Sequence, residues 1–453
     1  MSQGSSKGLP PGSSDQSTAG TVSRATAGST ARPLSGSSAD ATVEVIVEST
    51  VDSKSRVGLT PVDEALRAIL SGAQLRVATE QVPLLDALGR VLATDQIATV
   101  DVPPLDNSAM DGYCFAYNDL SAGTALPISQ RIAAGELGTP LAAATAARIF
   151  TGAPLPANAD SIVMQENVEL IDGAIVLLAA VKKGQHVRPA GQDITKGSCV
   201  LARGKRLSPP EIGLLASIGV EQVTVYQPLR VAVMSTGDEL REPGQALGPG
   251  QIYNSNRYTL TTLLRAMGCD VVDGGIVADS FDNTCAALTE LASRADLIIS
   301  SGGVSVGEED HVKAAVQSLG RLDVWKLSIK PGKPLAFGAV GQTPFFGLPG
   351  NPSSVLVTFS ICARPYIQLC QGLSAIAPLL CRVRADFELP TAGTRQEYLR
   401  VRVVAGVAAL HHNQSSGVLA SASWANALAV IPIGATVAKG DDIEVLLLSE
   451  LMG

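Results

Sequence analysis

Across residues 229–377, short apolar runs alternate with amphipathic stretches, and each run ends in a polar loop rich in Gly and Pro. Runs at 231–234, 271–277, 297–300 and 324–329 read as strands. Helices are expected at about 255–267, 283–294, after the third run and after Gly350. Alternation at this spacing leads to a three-layer α/β unit, a mainly parallel sheet covered on both faces. In such sheets ligands bind beyond the carboxyl ends of the strands. Four loops fall at strand ends: STGDEL (235–240), SSGGVSVGEED (300–310), KPGKP (330–334) and GLPGNPSS (347–354).

The loop at 300–310 sets glycines between a strand and a helix, where backbone N–H groups and the helix N-terminus favour an anion. Lys326, Lys330 and Lys333 follow on the next strand end. Taken alone, the same residues describe an ordinary Gly-rich loop beside solvated lysines. Charge gives the cluster more weight. The chain has 34 basic and 42 acidic residues, a net charge of −8. Without a basic stripe, nucleic-acid binding is not expected, and an anionic ligand needs a local positive site.

The remaining chain divides by composition. Residues 1–56 are rich in Ser, Gly, Thr, Ala and Pro and are expected to be a disordered extension. Residues 57–95 and 198–228 are read as one discontinuous domain. Its first helix has Thr60 as N-cap and Pro61 in the first turn, a second helix covers 84–93 with Leu84, Leu85, Leu88 and Leu92 inward, and a third lies at 209–217. Residues 96–197, broken by Gly and Pro, read as an inserted β-rich module. Residues 229–377 form the α/β domain, and 378–453 a C-terminal β-barrel or sheet with strands at 383–387, 397–404, 417–422 and 442–447. Seven scattered cysteines, none spaced CxxC, suggest reduced thiols in a cytoplasmic protein rather than a disulfide framework or zinc site. His411 and His412 read as a surface pair. No apolar run reaches the ~18 residues needed to span a bilayer, and no signal peptide is seen.

Taken in order, PLDNSAMDGY (104–113), IFTGAPLP (149–156), STGDEL, SGGVSVGEED (301–310), KPGKP and GLPGNPSS resemble the molybdopterin molybdenumtransferases, relatives of the E domains of gephyrin and the plant enzyme. The resemblance covers residues 57–453. It implies an elongated homodimer with shared active sites, each between the α/β domain of one subunit and the β module of the other. It implies insertion of molybdenum from molybdate into adenylylated molybdopterin, with release of AMP and with Mg2+ as cofactor. A molybdopterin adenylyltransferase is then the expected pathway partner.

Such a site must hold a pyrophosphate and a dianion. Gly302, Gly303 and Gly307, with Ser305 in the same loop, suit phosphates, and Gly347, Gly350 and Asn351 suit a second contact, with Pro349 and Pro352 shaping that loop and Ser353 placed beside it by the resemblance. The resemblance assigns catalytic roles to Asp111, Thr151, Asp193, Glu239, Asp279, Asp310, Lys326 and Lys330, with Lys333 binding substrate. Mg2+, which prefers carboxylates and substrate phosphates, is assigned to Asp279 and Asp310, with Asp238 and Glu309 as neighbouring alternatives. Asp310 also fits a helix's first turn, and Asp111 and Thr151 also fit simple turn chemistry. Within QEYLR (396–400), Arg400 is a candidate molybdate contact. One departure stands out: the family has Gly-Glu-Asp where this chain has Gly191, Gln192 and Asp193, so the neighbouring acid's charge is missing. An adenylyltransferase and a gephyrin-like scaffold are the alternative functions; the β module and C-terminal domain disfavour the first.

Overall fold

The computed structural model describes residues 58–121, 123–303 and 311–452. The N-terminal extension, Ser305, Gly307, Glu309 and Asp310 lie outside them. The central sheet is built from β1 (Arg230–Thr236), β2 (Asp270–Val277), β3 (Leu297–Ser301), β4 (Gly320–Lys326), β6 (Pro334–Val340) and β7 (Thr343–Leu348), with the two-residue β5 (Ile329–Lys330) outside it. The strand order is β2-β1-β3-β7-β6-β4. The pairs β1–β2, β1–β3 and β3–β7 are parallel. An antiparallel extension, β7–β6–β4, completes the sheet.

Period-two alternation decides which face each residue covers. Val231 and Val233 of β1 pack into one core with Leu297, Ile299 and Phe346, against helices α1 (Ser255–Ala266), α4 (Pro352–Thr358) and α5 (Arg364–Cys370). Their neighbours Ala232, Met234, Ile298 and Phe345 pack the other way, against α2 (Phe281–Arg294) and α3 (His311–Leu319). A π-helical turn at Phe359–Ala363 joins α4 to α5. Phe337, Phe346 and Tyr366 meet in the first core with ring centroids 4.8–5.3 Å apart.

Two further β structures flank this body. Residues 112–177 contribute a six-stranded sheet. The chain before it returns to the chain after it: Thr79–Pro83 pairs with Gln222–Tyr226, and Gln96–Ile97 with Cys199–Leu201. At the C-terminus, β8 (Gln396–Val404) pairs with both Val407–Leu410 and Ala427–Ile431. Leu380–Ala385 and Asp442–Leu447 complete the circuit, closing a barrel and leaving these five strands no free edge.

The structure corrects several local expectations. Residues 84–93 hold a single 3-10 turn, Leu84–Ala87, not a helix. Gly89 is left-handed, and strand-like contacts claim the backbone: Leu92 N donates to Lys205 O at 2.9 Å and Ala93 N to Thr224 O at 3.0 Å. Leu85 and Leu88, expected inward, are 84% and 58% exposed. Pro61, not Thr60, caps the first helix, Val62–Ser71. Thr60 instead bridges to Leu327, receiving Ser328 N at 2.7 Å. The strand expected at 324–329 is split into β4 and β5, with Leu327 N turned to Lys333 O at 2.7 Å. Residues 417–422 fall mostly in a short helix, Leu419–Trp424, because the closed barrel offers them no strand edge.

Seven cysteines are free. Burial pushes the thiols of Cys114 and Cys362 up to about 12. Among the described residues, no helix is long and apolar enough to cross a membrane. The aromatic contact in the first core gives a direct stability test. Phe346→Ala is expected to cost about 3–5 kcal/mol, read as a lowered urea midpoint; a change under about 1 kcal/mol would mean that the core closes over the loss.

Candidate functional site

The β1, β3 and β7 ends converge on one cleft of about 720 Å³. Its floor comes from three loops at strand ends, and each has a local reason for its shape. After β1, Thr236, Gly237 and Glu239 line the cleft, with Gly237 at φ +142°. After β3, Gly302 and Gly303 take φ +93° and +66°, and a Cβ on Gly303 would collide with Val312 of α3. Both positions therefore require glycine. After β7, Pro349, Gly350 and Asn351 lead into α4, and Asn256 Nδ2 fixes the loop by donating to Gly350 O at 2.7 Å. Asp279, following β2, closes this side; its N–H faces Asp238 Oδ1 at 3.5 Å.

The opposite wall is the turn that follows β5. Lys330, Pro331, Gly332, Lys333 and Pro334 all line the cleft, and the Lys330-Pro331 bond is cis. Gly332, at φ +109°, lies against α4, where an added Cβ would collide with Thr358 Oγ1. Thr358 Oγ1 is buried without a hydrogen-bond partner among the described residues.

The barrel supplies the third wall through Arg395, Gln414, Ser415 and Ser416. Behind it lies Arg400, only 1% exposed. Its Nε donates to Ser421 Oγ and its Nη2 to Ser415 O, both at 3.1 Å, while Gln414 exchanges hydrogen bonds with its backbone. Among the described residues this guanidinium makes no ion pair, and burial pulls its pKa below the ordinary arginine value. An uncompensated cation in a low-dielectric wall projects positive potential beyond that wall. Ser353 joins the same wall to α4: its N–H donates to Ser416 O and its Oγ to Val418 O, both at 2.9 Å.

Of the residues expected from sequence, Glu239, Asp279, Gly302, Gly303, Lys330, Lys333, Pro349 and Asn351 meet in the cleft. Lys326, Pro352, Ser353 and Arg400 do not line it. Lys326 is exposed at the end of β4, Pro352 begins α4, and Ser353 and Arg400 brace the wall from behind. Asp111, Thr151 and Asp193 lie on the β module, away from the cleft lining. There, Thr151 N and Oγ1 both donate to Asp111 Oδ1 at 2.8 Å. The backbone bond from Thr151, then its hydroxyl, hold the Asp111 carboxyl below its ordinary value. Asp193 and Gln192 border a separate cavity of about 380 Å³ with Asn107 and Arg188. Arg395, Gln414, Ser415 and Ser416 escaped sequence reading. Only the barrel's long-range pairing brings them to the cleft.

Among the described residues, no group of three or more His, Cys, Asp or Glu is placed to hold a metal. Glu239 and Asp279 both line the cleft, and Mg2+ takes one or two protein carboxylates and completes its shell with water and substrate phosphates. Among the described residues, the cleft thus gathers the cations Lys330, Lys333 and Arg395 with the carboxylates Glu239 and Asp279 and two glycine-rich strand ends. This arrangement suits a phosphorylated, oxyanionic ligand.

The chain is also similar to known proteins along most of its length. Three family models match in order: MoeA N-terminal region (domain I and II) at residues 60–219, a "Probable molybdopterin binding domain" at 232–369, and MoeA C-terminal region (domain IV) at 382–448. A molybdopterin molybdenumtransferase of Haemophilus influenzae is 42% identical over 312 residues, 68% of this chain and 77% of the relative. One from Nostoc sp. is 38% identical over 81% of this chain and 88% of the relative. The solved structure of the molybdopterin biosynthesis moeA protein of Pyrococcus horikoshii OT3 superposes with a TM-score of 0.76 at 26% identity, covering 86% of this chain and all of that one.

The turn at Gly332 yields the test of this geometry. Gly332→Ala imposes a left-handed alanine, costing about 1–2 kcal/mol, and drives the turn away from Thr358. The protein should stay folded by circular dichroism while tungstate affinity, measured by calorimetry, falls at least tenfold. Unchanged affinity would show that the turn does not shape the anion site.

Proposed function

Since the chain belongs to the molybdopterin molybdenumtransferase family, and so is a transferase of molybdenum cofactor biosynthesis, we propose that its cleft transfers molybdenum from molybdate to adenylylated molybdopterin and releases AMP. The observation carrying this reading is the cleft itself. It sets Lys330, Lys333 and Arg395 across from Glu239, Asp279 and the glycine-lined ends of β1 and β3. The substrate's pyrophosphate suits the N–H of Gly303, which it approaches without a side chain in the way, whereas the Gly302 N–H is already given to Leu348 O at 3.1 Å. Lys330 and Lys333 provide ammonium donors for non-planar oxyanions, and Arg395 a planar fork. Positive potential from buried Arg400, transmitted behind Ser415, favours a dianion at the barrel wall.

Glu239 and Asp279 would hold Mg2+, which, when bound, neutralises charge on the phosphate leaving as AMP. The substrate is supplied by an adenylyl-transferring enzyme, since a phosphoanhydride to AMP must already be present.

Asp111, Thr151 and Asp193 are absent from the lining of their own chain's cleft. We propose that they complete the cleft of a second copy, in a homodimer with two shared sites. The seven free thiols accord with a reducing cytoplasm.

Mixed dimers test the proposal. Lys330→Ala and Asp111→Asn proteins should each release AMP at least roughly 10²-fold more slowly than the parent. Unfolding and reassociating a 1:1 mixture makes half the dimers mixed, each with one intact site, so activity should return to about a quarter of the parent level, dependent on molybdate and lost on chelating magnesium. Mixtures that stay inactive would contradict a site shared between subunits. Parent-like rates for the separate variants would contradict the residue roles.

A further inference from the structure

Lys330 is held from behind. Its strand, β5, pairs in parallel with β8 of the barrel, in the register Ile329 with Gln396 and Lys330 with Glu397. Register partners in a ladder carry their side chains side by side. Lys330 Nζ accordingly donates to both carboxylate oxygens of Glu397, at 3.0 and 3.1 Å. The two residues are not alike in exposure. The Lys330 side chain is 48% exposed and lines the cleft, whereas Glu397 is 16% exposed and lies outside the lining. The turn before β8 passes close to the carboxylate: a Cβ added at Gly393 would lie 2.8 Å from Glu397 Oε1.

We infer that Glu397 is a positioning residue for the transfer reaction, aiming the Lys330 ammonium into the cleft from the barrel side. The inference rests on Lys330 contacting substrate. An ammonium has three N–H donors, and two contacts with Glu397 leave one for a ligand. A free lysine must surrender considerable rotamer freedom to meet its ligand; here the barrel imposes that order during folding. Glu397 also has an opposite effect, since its charge offsets that of Lys330. Solvent screening weakens that Coulombic effect at a half-exposed lysine, while the geometric constraint is not screened. Orientation therefore outweighs neutralisation, and removing the carboxylate should slow the reaction.

A double-mutant cycle on the full chain decides this, with AMP release measured at varied substrate for the parent, K330A, E397Q and the double variant. E397Q keeps the side chain's size and loses its charge. It is expected to lower kcat roughly tenfold or more, leaving KM within about threefold. The double variant should be no slower than K330A, because Glu397 acts only through the lysine. Thermal melting confirms that each variant is folded. If E397Q fails to fold, E397D substitutes: it keeps the charge, withdraws it by one methylene, and should also lower kcat. An E397Q or folded E397D at parent rate or faster, with K330A impaired, overturns the positioning role and leaves the reading of Lys330 intact. So does a double variant that loses the product of the two single factors. K330A at parent rate overturns both.

Discussion

An oxyanionic substrate can be held only where its charge is met, and this chain carries a net charge of −8. The match is made locally. Lys330, Lys333 and Arg395 face one cleft, and a buried Arg400, without an ion-pair partner among the described residues, stands behind its wall. Glycines at φ +93° and +66° follow the central strand β3; Gly302 gives its N–H to Leu348 O, and both line the cleft without side chains. The fold does the concentrating. A parallel sheet brings several strand ends to one rim, and each end carries a different polar loop.

Much of the cleft's precision comes from contacts between parts of the chain that are far apart in sequence. The turn bearing both lysines is braced by α4 under Gly332 and by β8 beside Lys330. Ser353 ties the start of α4 to Ser416 and Val418, so the helix and the barrel wall share one hydrogen-bonded seam. The barrel is therefore part of the site as well as a neighbour of it. Residues 395–416 provide a wall that the α/β body lacks.

The sequence was most legible where periodicity is local. Strands at 231–234, 271–277 and 297–300 and helices near 255–267 and 283–294 emerge within a residue or two of their expected places. Their loops supply Glu239, Asp279, Gly302 and Gly303 to one cleft, to which the KPGKP turn adds Lys330 and Lys333. It was least legible where tertiary pairing overrides local preference. Leu84, Leu85, Leu88 and Leu92 have helical spacing, yet Gly89 and hydrogen bonds to 205 and 224 turn that segment into an irregular edge. The strands Pro334–Val340 and Thr343–Leu348 went unseen, since KPGKP and GLPGN dominate the local reading. Arg395 and Gln414 carry no periodic or motif signal; only barrel closure places them. Lys326 resembled its neighbours in type and spacing, but the break between β4 and β5 leaves it outside the cleft.

Family membership rests on matches spanning most of the described chain; the central structural claim is that substrate oxyanions bind between the lysine turn and the barrel wall. The most direct measurement is anomalous diffraction from crystals soaked in tungstate, a heavy analogue of molybdate. A peak is expected within the cleft, within hydrogen-bonding reach of Lys330 or Lys333 and of the segment 414–416. A peak confined to another surface, with this cleft clear of anomalous signal at saturating tungstate, would contradict that claim.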